Sequence, residues 1–402
     1  MKTDILTDRL GAAAEIVRGG GLLAVPTETV YGLAGNGLDA QAVEKIYEVK
    51  GRPAVKPLSL MVPGPEVMER YVRELPAAAR FLAEKFWPGP LTIVLKAKAD
   101  IPDIVLAGGD TVGLRCPDHP LTLALLRQLG LPLAAPSANP SGLPSPKSAQ
   151  EVLAYFDGRI EGVLDGGPCG IGTESTILSM TDTPYRILRR GALDEEKIAD
   201  ALVERMTVVG ITGGSGSGKT TALRVLEKLG ALVIDADAVY HELLRCDESL
   251  LAAIDARFPG SVTDRGLDRK ALAAAVFGDP EALAALNAIT HPAVIRETKR
   301  RLRAHAMQGG SLAALDAIGL IGSGLDRLCG RTYAVVAEKE TRVRRIMARD
   351  GLDRSAALRR IEAQQPDAYF VSHCSAVLHN DGTESEFSSV CKTIFLEDLN
   401  HG

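Results

Sequence analysis

No stretch of this 402-residue chain approaches the run of about 20 apolar residues that a membrane-spanning helix requires, so no membrane role is expected. The opening Met1-Lys2-Thr3-Asp4 lacks the apolar core of a signal peptide, which points to a cytoplasmic protein. Six cysteines, Cys116, Cys169, Cys246, Cys329, Cys374 and Cys391, are scattered without a C-x-x-C pair, and neither a zinc knuckle nor a disulfide framework is indicated. A basic excess is missing too. The net charge of -5, with aromatic and basic residues not interleaved, argues against a broad nucleic-acid footprint. No internal repeat, heptad or Pro- or Ser-rich spacer stands out. What is present is ordinary globular usage: 46% hydrophobic and 24% charged residues suit neither a disordered nor a fibrous chain. At roughly 150 residues per domain, the length suits two or three domains, each able to bury its own core.

Between residues 20 and 190, β-rich runs such as Gly21-Leu-Leu-Ala-Val-Pro26 and Leu91-Thr-Ile-Val-Leu95 alternate with helical patterns, which is an α/β arrangement. In the helix predicted over 39–50, Val43, Ile46 and Tyr47 share one face while Glu44, Lys45 and Glu48 take the other, as packing on a sheet requires. Residues 194–205 read as a charged amphipathic helix with acidic residues in its first turn. Met206 and the apolar run Thr207-Val-Val-Gly-Ile-Thr212 then look like a fresh start. A first domain over 1–200 and a second over 206–402, joined by a short junction, are expected.

The second half carries the sharper signal. Gly213-Gly-Ser-Gly-Ser-Gly-Lys-Thr220 satisfies G-x-x-x-x-G-K-S/T between a strand and the helical run Thr221 to Leu229. Glycines let consecutive N–H groups of Gly213, Gly214, Ser215, Gly216, Ser217 and Gly218 face an anion, and the following helix adds the positive end of its dipole. Lys219 is placed for the β- and γ-phosphates of ATP, Thr220 for Mg²⁺, and Thr221 follows in the same helix turn. A second strand, Leu232-Val-Ile-Asp235, leads to Asp237 at the carboxyl edge of a parallel sheet, where ligands of open α/β sheets bind. Asp237 is a candidate base for an attacking hydroxyl, the alternative being a cap on a helix starting at 238. Seven arginines, Arg342, Arg344, Arg345, Arg349, Arg354, Arg359 and Arg360, fall on two predicted helices in 339–364; they form either a solvated face or, for one or two of them, part of a closing lid.

These runs, with Gly266-Leu-Asp-Arg-Lys-Ala-Leu272, His291-Pro292 and Arg349-Asp-Gly351, resemble dephospho-coenzyme A kinases over residues 206 to 400. The resemblance implies a P-loop parallel-sheet kinase fold and transfer of the ATP γ-phosphoryl to the ribose 3'-hydroxyl of dephospho-CoA. Asp237 would be the base, Arg349 would sit in the lid over ATP, and Asn380 near the adenine. The chain departs from the family at Gly322, where a glutamate is common.

In the first half, Pro26-Thr-Glu-Thr-Val-Tyr-Gly32 is followed by a helix and by Lys50, Arg52 and Lys56. Three cations at a helix end make either a polyanion clamp or a solvated basic end that complements the dipole. Together with Pro88-Gly-Pro-Leu-Thr92, Thr111 to Arg115, Pro136-Ser-Ala-Asn139, Ser145, Glu174-Ser-Thr-Ile177 and Arg189, the set resembles the threonylcarbamoyl-AMP synthase family over residues 8 to 195. A YrdC-like twisted open α/β sheet is implied, with L-threonine, bicarbonate and ATP as substrates and a partner protein that modifies adenosine 37 of tRNA. Arg52, Lys56, Thr111, Ser145 and Arg189 would face ATP, joined by Ser137 and Asn139. Lys50, with Ser137 and Asn139, would serve the reacting centre, and Thr29, Arg115 and Ser175 would bind threonine. Met61 stands where many relatives place a histidine. The competing class is a double-stranded RNA or nucleotide-binding module without synthesis, in which a weak RNA contact replaces chemistry; for the second half it is a P-loop kinase acting on another small molecule.

Overall fold

The structure is a computed structural model that describes residues 2–264 and 266–401. It divides into two compact units, one running to Leu202 and including Met307–Gly309, the other comprising Val203–Ala306 and continuing from Gly310.

The first unit is built on a ten-stranded mixed sheet. Its strands are β1 (Asp4–Leu6), β2 (Leu23–Val25), β3 (Gly32–Asn36), β4 (Ser59–Met61), β5 (Leu91–Lys96), β6 (Thr111–Arg115), β7 (Leu133–Ala134), β8 (Gly162–Leu164), β9 (Thr176–Ser179) and β10 (Arg186–Arg189). Their order is β1-β8-β2-β3-β7-β4-β6-β5-β9-β10. Leu23, Ala24 and Val25 are fully buried, as an apolar run in the middle of a sheet must be. The helix Ala40–Lys50 follows the predicted pattern. Asp39 caps it by accepting from the Gln41 N–H, Gly51 closes it in the left-handed region at φ 59°, and Val43, Ile46 and Tyr47 are buried while Glu44, Lys45 and Glu48 are exposed. Ala13, Ala14 and Val17 of the helix Leu10–Arg18 pack with Leu125, Leu126 and Leu129 of the helix Pro120–Leu129 over Leu23 and Val25.

In the second unit β11 (Thr207–Thr212), β12 (Leu232–Asp235), β15 (Leu312–Asp316), β16 (Arg331–Val336) and β17 (Ala376–His379) form an all-parallel sheet in the order β12-β15-β11-β16-β17, and β13 (Val262–Thr263) pairs with β14 (Gly266–Leu267) in a small hairpin. The apolar strand predicted from Thr207 to Thr212 is the central one, flanked in parallel by β15 and β16. Val209, Ile211 and Tyr333 pack against Leu223 and Leu226 of the helix Lys219–Lys228 and Phe387 and Phe395 of the helix Glu384–His401. Every strand of this sheet delivers its last residue to one edge, and the glycine-rich turn after β11 lies at that edge.

Candidate functional site

The turn Gly213–Thr220 keeps its shape because its carbonyls are held from behind. Asn380 donates from Nδ2 to the Ser217 carbonyl at 2.7 Å, Arg342 from Nε to the Ser215 carbonyl at 3.0 Å, and Arg345 spans from the Gly216 and Ser217 carbonyls to the Asn380 carbonyl at 3.1 Å. With carbonyls turned outward, main-chain N–H groups are left to face the cleft. Gly218 has φ 106°, and a Cβ there would run into Asn380 Nδ2, so only glycine serves. The helix Lys219–Lys228 begins at once, its amino end pointing at the cleft. Gly214, Ser215, Gly216, Gly218, Lys219, Thr220, Arg345, Arg349 and Arg360 line one cavity.

Of the arginine group, Arg345, Arg349 and Arg360 reach this cavity, Arg342 is buried beneath the loop, and Arg344, Arg354 and Arg359 lie on the exposed face. Arg349 and Arg360 are linked through Asp350, which accepts from Arg349 Nε at 2.8 Å and from Arg360 Nη1 at 2.9 Å. Asn380 is 3% exposed and its amide is engaged with Ser217 and Arg345, so it braces the loop from behind.

Lys219 donates to the Gly213 carbonyl at 3.0 Å. Burial holds its ammonium below the ordinary lysine range, against the pull of Asp316 and Asp237. Asp316, the last residue of β15, pairs in register with Asp235 at the end of β12. Burial raises its carboxyl to about 6, and Oδ1 has no hydrogen-bond partner. Sequence reasoning passed over this residue as a site member. A hydroxyl at Thr220 and an unpartnered carboxylate at Asp316 are the hard oxygen donors that suit Mg²⁺, although no group of three His, Cys, Asp or Glu side chains is arranged to hold a metal among the described residues.

Helix capping after β12 falls to Asp235, whose Oδ1 accepts from the Ala238 N–H at 3.0 Å, because the helix starts at Ala236 rather than 238. Asp237, in the first turn, is thereby released to line a second cavity of about 280 Å³ with Tyr240, Leu286, Asn287, His291 and Ala317. The same wall contains Gly319 and Ser323, which bracket Gly322 at φ 85°. A base at the edge of a mostly apolar cavity beside a phosphate cradle can deprotonate a hydroxyl held there.

In the first unit, a cavity of about 150 Å³ is lined by Arg52, Met61, Arg115, Ser137, Glu174, Ser175 and Arg189 among others. These come from the turn after the helix Ala40–Lys50, the ends of β4, β6 and β10, and the loops after β7 and before β9. Lys56 and Thr111 are not in its lining, and Thr111 is at the far end of β6 from Arg115. The trio of cations therefore divides. Lys50 continues the buried face of Val43, Ile46 and Tyr47; its Nζ donates to the Ser137 and Asn139 carbonyls, and it is 3% exposed. Burial, then repulsion from Arg52, lowers its pKa to about 7. Arg52 turns into the cavity and donates to the Pro57 carbonyl at 2.9 Å, while Lys56 stays exposed.

Arg115 donates from Nη2 to Glu28 Oε1 and to the Thr29 hydroxyl, each at 2.7 Å. Its side chain is 9% exposed and that of Glu28 is 12% exposed. Glu28, which the residue-by-residue reading left out, thus holds one edge of the guanidinium. Arg189 grips the Ser175 carbonyl at 2.8 Å, Ser175 meets Thr92 at 2.8 Å, and Ser145 donates to Glu174 at 2.7 Å, the bond that draws the Glu174 carboxyl down. Asn139 is buried, with Oδ1 unpartnered. Cations and hydroxyls converging on one small cavity suit a polyphosphate or a carboxylate.

Comparison with known proteins agrees with this division. Residues 15–191 match the family model of Sua5, YciO and YrdC, described as "Telomere recombination", and residues 207–386 match the dephospho-CoA kinase model. The threonylcarbamoyl-AMP synthase of Bacillus subtilis is 48% identical over 191 residues, which are 47% of this chain and 55% of that protein. A Mycobacterium tuberculosis protein, provisionally named as the same synthase, is 36% identical over 48% of this chain and 88% of its own length. The dephospho-CoA kinase of Geobacter sulfurreducens is 40% identical over 183 residues, 45% of this chain and 93% of that protein. The chain spans little more than half the length of the Bacillus subtilis and Pyrococcus abyssi synthases it matches, 55% and 58%.

Proposed function

We propose that this chain, which belongs through its amino-terminal half to the threonylcarbamoyl-AMP synthase family and through its carboxyl-terminal half to the dephospho-CoA kinase family, joins two ATP-using enzymes in one polypeptide.

In the kinase half, the loop amides and Lys219 bind the ATP phosphates, and Asp237 accepts the proton of the ribose 3'-hydroxyl of dephospho-CoA. That oxygen bonds to the γ-phosphorus as the bridge to the β-phosphate breaks, leaving ADP. Mg²⁺, held by Thr220 with Asp316, would offset charge on the phosphate oxygens. Arg349 and Arg360 face the transferring group from the lid. The observation that carries this reading is Asp237 on the wall of a roomy cavity directly after the edge strand of the sheet that bears the phosphate loop.

In the synthase half, the threonine amine and bicarbonate form a carbamate with loss of water. Its oxygen attacks the α-phosphorus of ATP and pyrophosphate departs, giving threonylcarbamoyl-adenylate for transfer to adenosine 37 of tRNA. Arg52 and Arg189 face the phosphates, and Arg115 faces the threonine carboxylate with the edge that Glu28 leaves open. No covalent protein nucleophile is needed, so catalysis rests on positioning. The convergence of Arg52, Arg115 and Arg189 on one cavity carries this reading.

Both halves are tested with the purified chain. Phosphate transfer to dephospho-CoA is compared with transfer to uridine and adenosine, and pyrophosphate release is measured with threonine and bicarbonate each withheld in turn. Preference for a nucleoside acceptor would overturn the first assignment; release indifferent to either co-substrate would overturn the second.

A further inference from the structure

Ser215 of the phosphate loop has its N–H, hydroxyl and carbonyl all engaged by side chains of the segment 339–364 that carries Arg349 and Arg360. Its N–H donates to Gln364 Oε1 at 2.8 Å, its hydroxyl accepts from Gln364 Nε2 at 2.8 Å, and its carbonyl accepts from Arg342 Nε at 3.0 Å. Arg342 comes from the helix Lys339–Asp350, and Gln364 follows the helix Arg354–Glu362. The same two helices carry Arg349 and Arg360 into the cleft.

At Ser215 a main-chain N–H of an anion-binding loop is thus given to a side-chain amide. It is also a close fit. A Cβ on Gly214 would run into Arg342 Nη2 and would come within 3.2 Å of Gln364 Oε1, so glycine at 214 is what lets both side chains reach the loop. Arg342 is 4% exposed and is anchored at its other end to Asp367 at 2.7 Å, while its Nη2 has no partner.

We propose that Gln364 is a positioning residue for phosphoryl transfer: its two-point bond to Ser215 clips the lid helices to the phosphate loop and so aims Arg349 and Arg360 at the transferring group. The clip rests on the reading of this half as an ATP-dependent kinase. Ground-state grip on ATP belongs to Lys219 and the loop amides, so the clip acts mainly on charge that develops during transfer.

The test uses the full chain. Gln364→Met keeps the length of the side chain and removes both bonds. It lowers kcat for phosphate transfer to dephospho-CoA by about 10- to 50-fold and leaves the KM for ATP within about 3-fold, as for an interaction realised in the transition state. When Arg349 and Arg360 are already alanine, the same change costs less than about 2-fold, because there is nothing left to aim. Equal fractional losses in both backgrounds would mean that Gln364 only packs.

A second readout does not depend on the acceptor. With a non-hydrolysable ATP analogue bound, amide hydrogen exchange over 339–362 rises in Gln364→Met and is restored in Gln364→Glu, whose carboxylate keeps the bond from the Ser215 N–H, accepts from the Ser215 hydroxyl once that group turns to donate, and lies near the unpartnered Arg342 nitrogen. Unchanged exchange overturns the clip whatever the acceptor proves to be. Altered exchange with no transfer to dephospho-CoA by the parent chain keeps the clip and discards the acceptor assignment. An unchanged unfolding transition of the kinase half, the one that added dephospho-CoA shifts upward, reports that each variant is folded, and pyrophosphate release by the synthase half normalises the amount of protein.

Discussion

On the proposed function, the two halves hold phosphate by opposite means. In the kinase half the cradle is main chain: the turn Gly213–Thr220, with Gly216 at φ 78° and Gly218 at φ 106°, has its Ser215, Gly216 and Ser217 carbonyls held by Arg342, Arg345 and Asn380, which leaves main-chain N–H groups other than those of Ser215 and Ser217 to face the cleft. In the synthase half it is side chain: Arg52, Ser137 and Arg189 arrive from separate elements, and only the sheet's register brings them to one cavity. A main-chain cradle is local and tolerates few changes of backbone, because one distorted residue moves several donors. A side-chain cradle is assembled at long range, and removing one member leaves the others in place. The first should fail all at once and the second by degrees.

The largest effect that separates them is Lys219→Ala. Loss of the loop's cation should lower transfer to dephospho-CoA by about 10³-fold or more while pyrophosphate release by the synthase half is unchanged. Coupled assays on one preparation check both numbers, and a parallel loss in the synthase assay would mean that the halves are not independent. Next comes Gly218→Ala. The left-handed φ and the collision with Asn380 Nδ2 act together, so about 10²-fold of transfer activity should be lost although no functional group has been removed. By contrast Arg52→Ala should cost the synthase about 10- to 100-fold, the worth of one charge-assisted contact, and combining it with Arg189→Ala should multiply the losses roughly independently. A total collapse from either change alone would put the two cradles in the same class.

The same contrast explains what could be read from residues alone. Strand, glycine turn and helix from Thr207 onward are consecutive, so their pattern is complete within one stretch, and the observed strand Thr207–Thr212 has the predicted bounds. The helix at 39–50 is legible for a similar reason, its cap and apolar face both being local. Lys50 was grouped with Arg52 and Lys56 by nearness in sequence, yet helical periodicity puts it on the buried face and the Gly51 turn points Arg52 elsewhere. Asp316 becomes part of a site only through the β12–β15 register, although an acid ending the apolar run Leu312-Ala-Ala-Leu-Asp316 repeats the signal that drew attention to Val-Ile-Asp235. Glu28 sat inside a recognised run, but its pairing with Arg115 crosses the sheet. Asn380 is separated from Ser217 by more than half the unit, and nothing local distinguishes a loop brace from a base contact.

The smallest effect concerns the carboxylate that burial leaves unpartnered. Burial raises Asp316 to about 6 in the fold against an ordinary 3.8, so between these values this carboxyl holds more proton in the folded than in the unfolded chain. The contribution of Asp316 to stability therefore falls as pH rises through that window and is lowest above it; about two units correspond to at most roughly 3 kcal/mol, less after relaxation and water entry. Lys219, whose pKa is depressed by burial, contributes in the opposite sense. Asp316→Asn removes the carboxylate's slope. Without nucleotide, the unfolding transition that added dephospho-CoA shifts upward should come at a higher temperature than in the parent chain at pH 7, and the difference should shrink toward pH 4.5. Transfer activity should fall at the same time, because a carboxylate that destabilises the empty fold and repays nothing there is kept for the charge it meets when nucleotide arrives. A variant no more stable at pH 7 than the parent would show that Lys219 already neutralises Asp316 in the empty enzyme, and would place the main-chain loop alone at the centre of the difference between the two cradles.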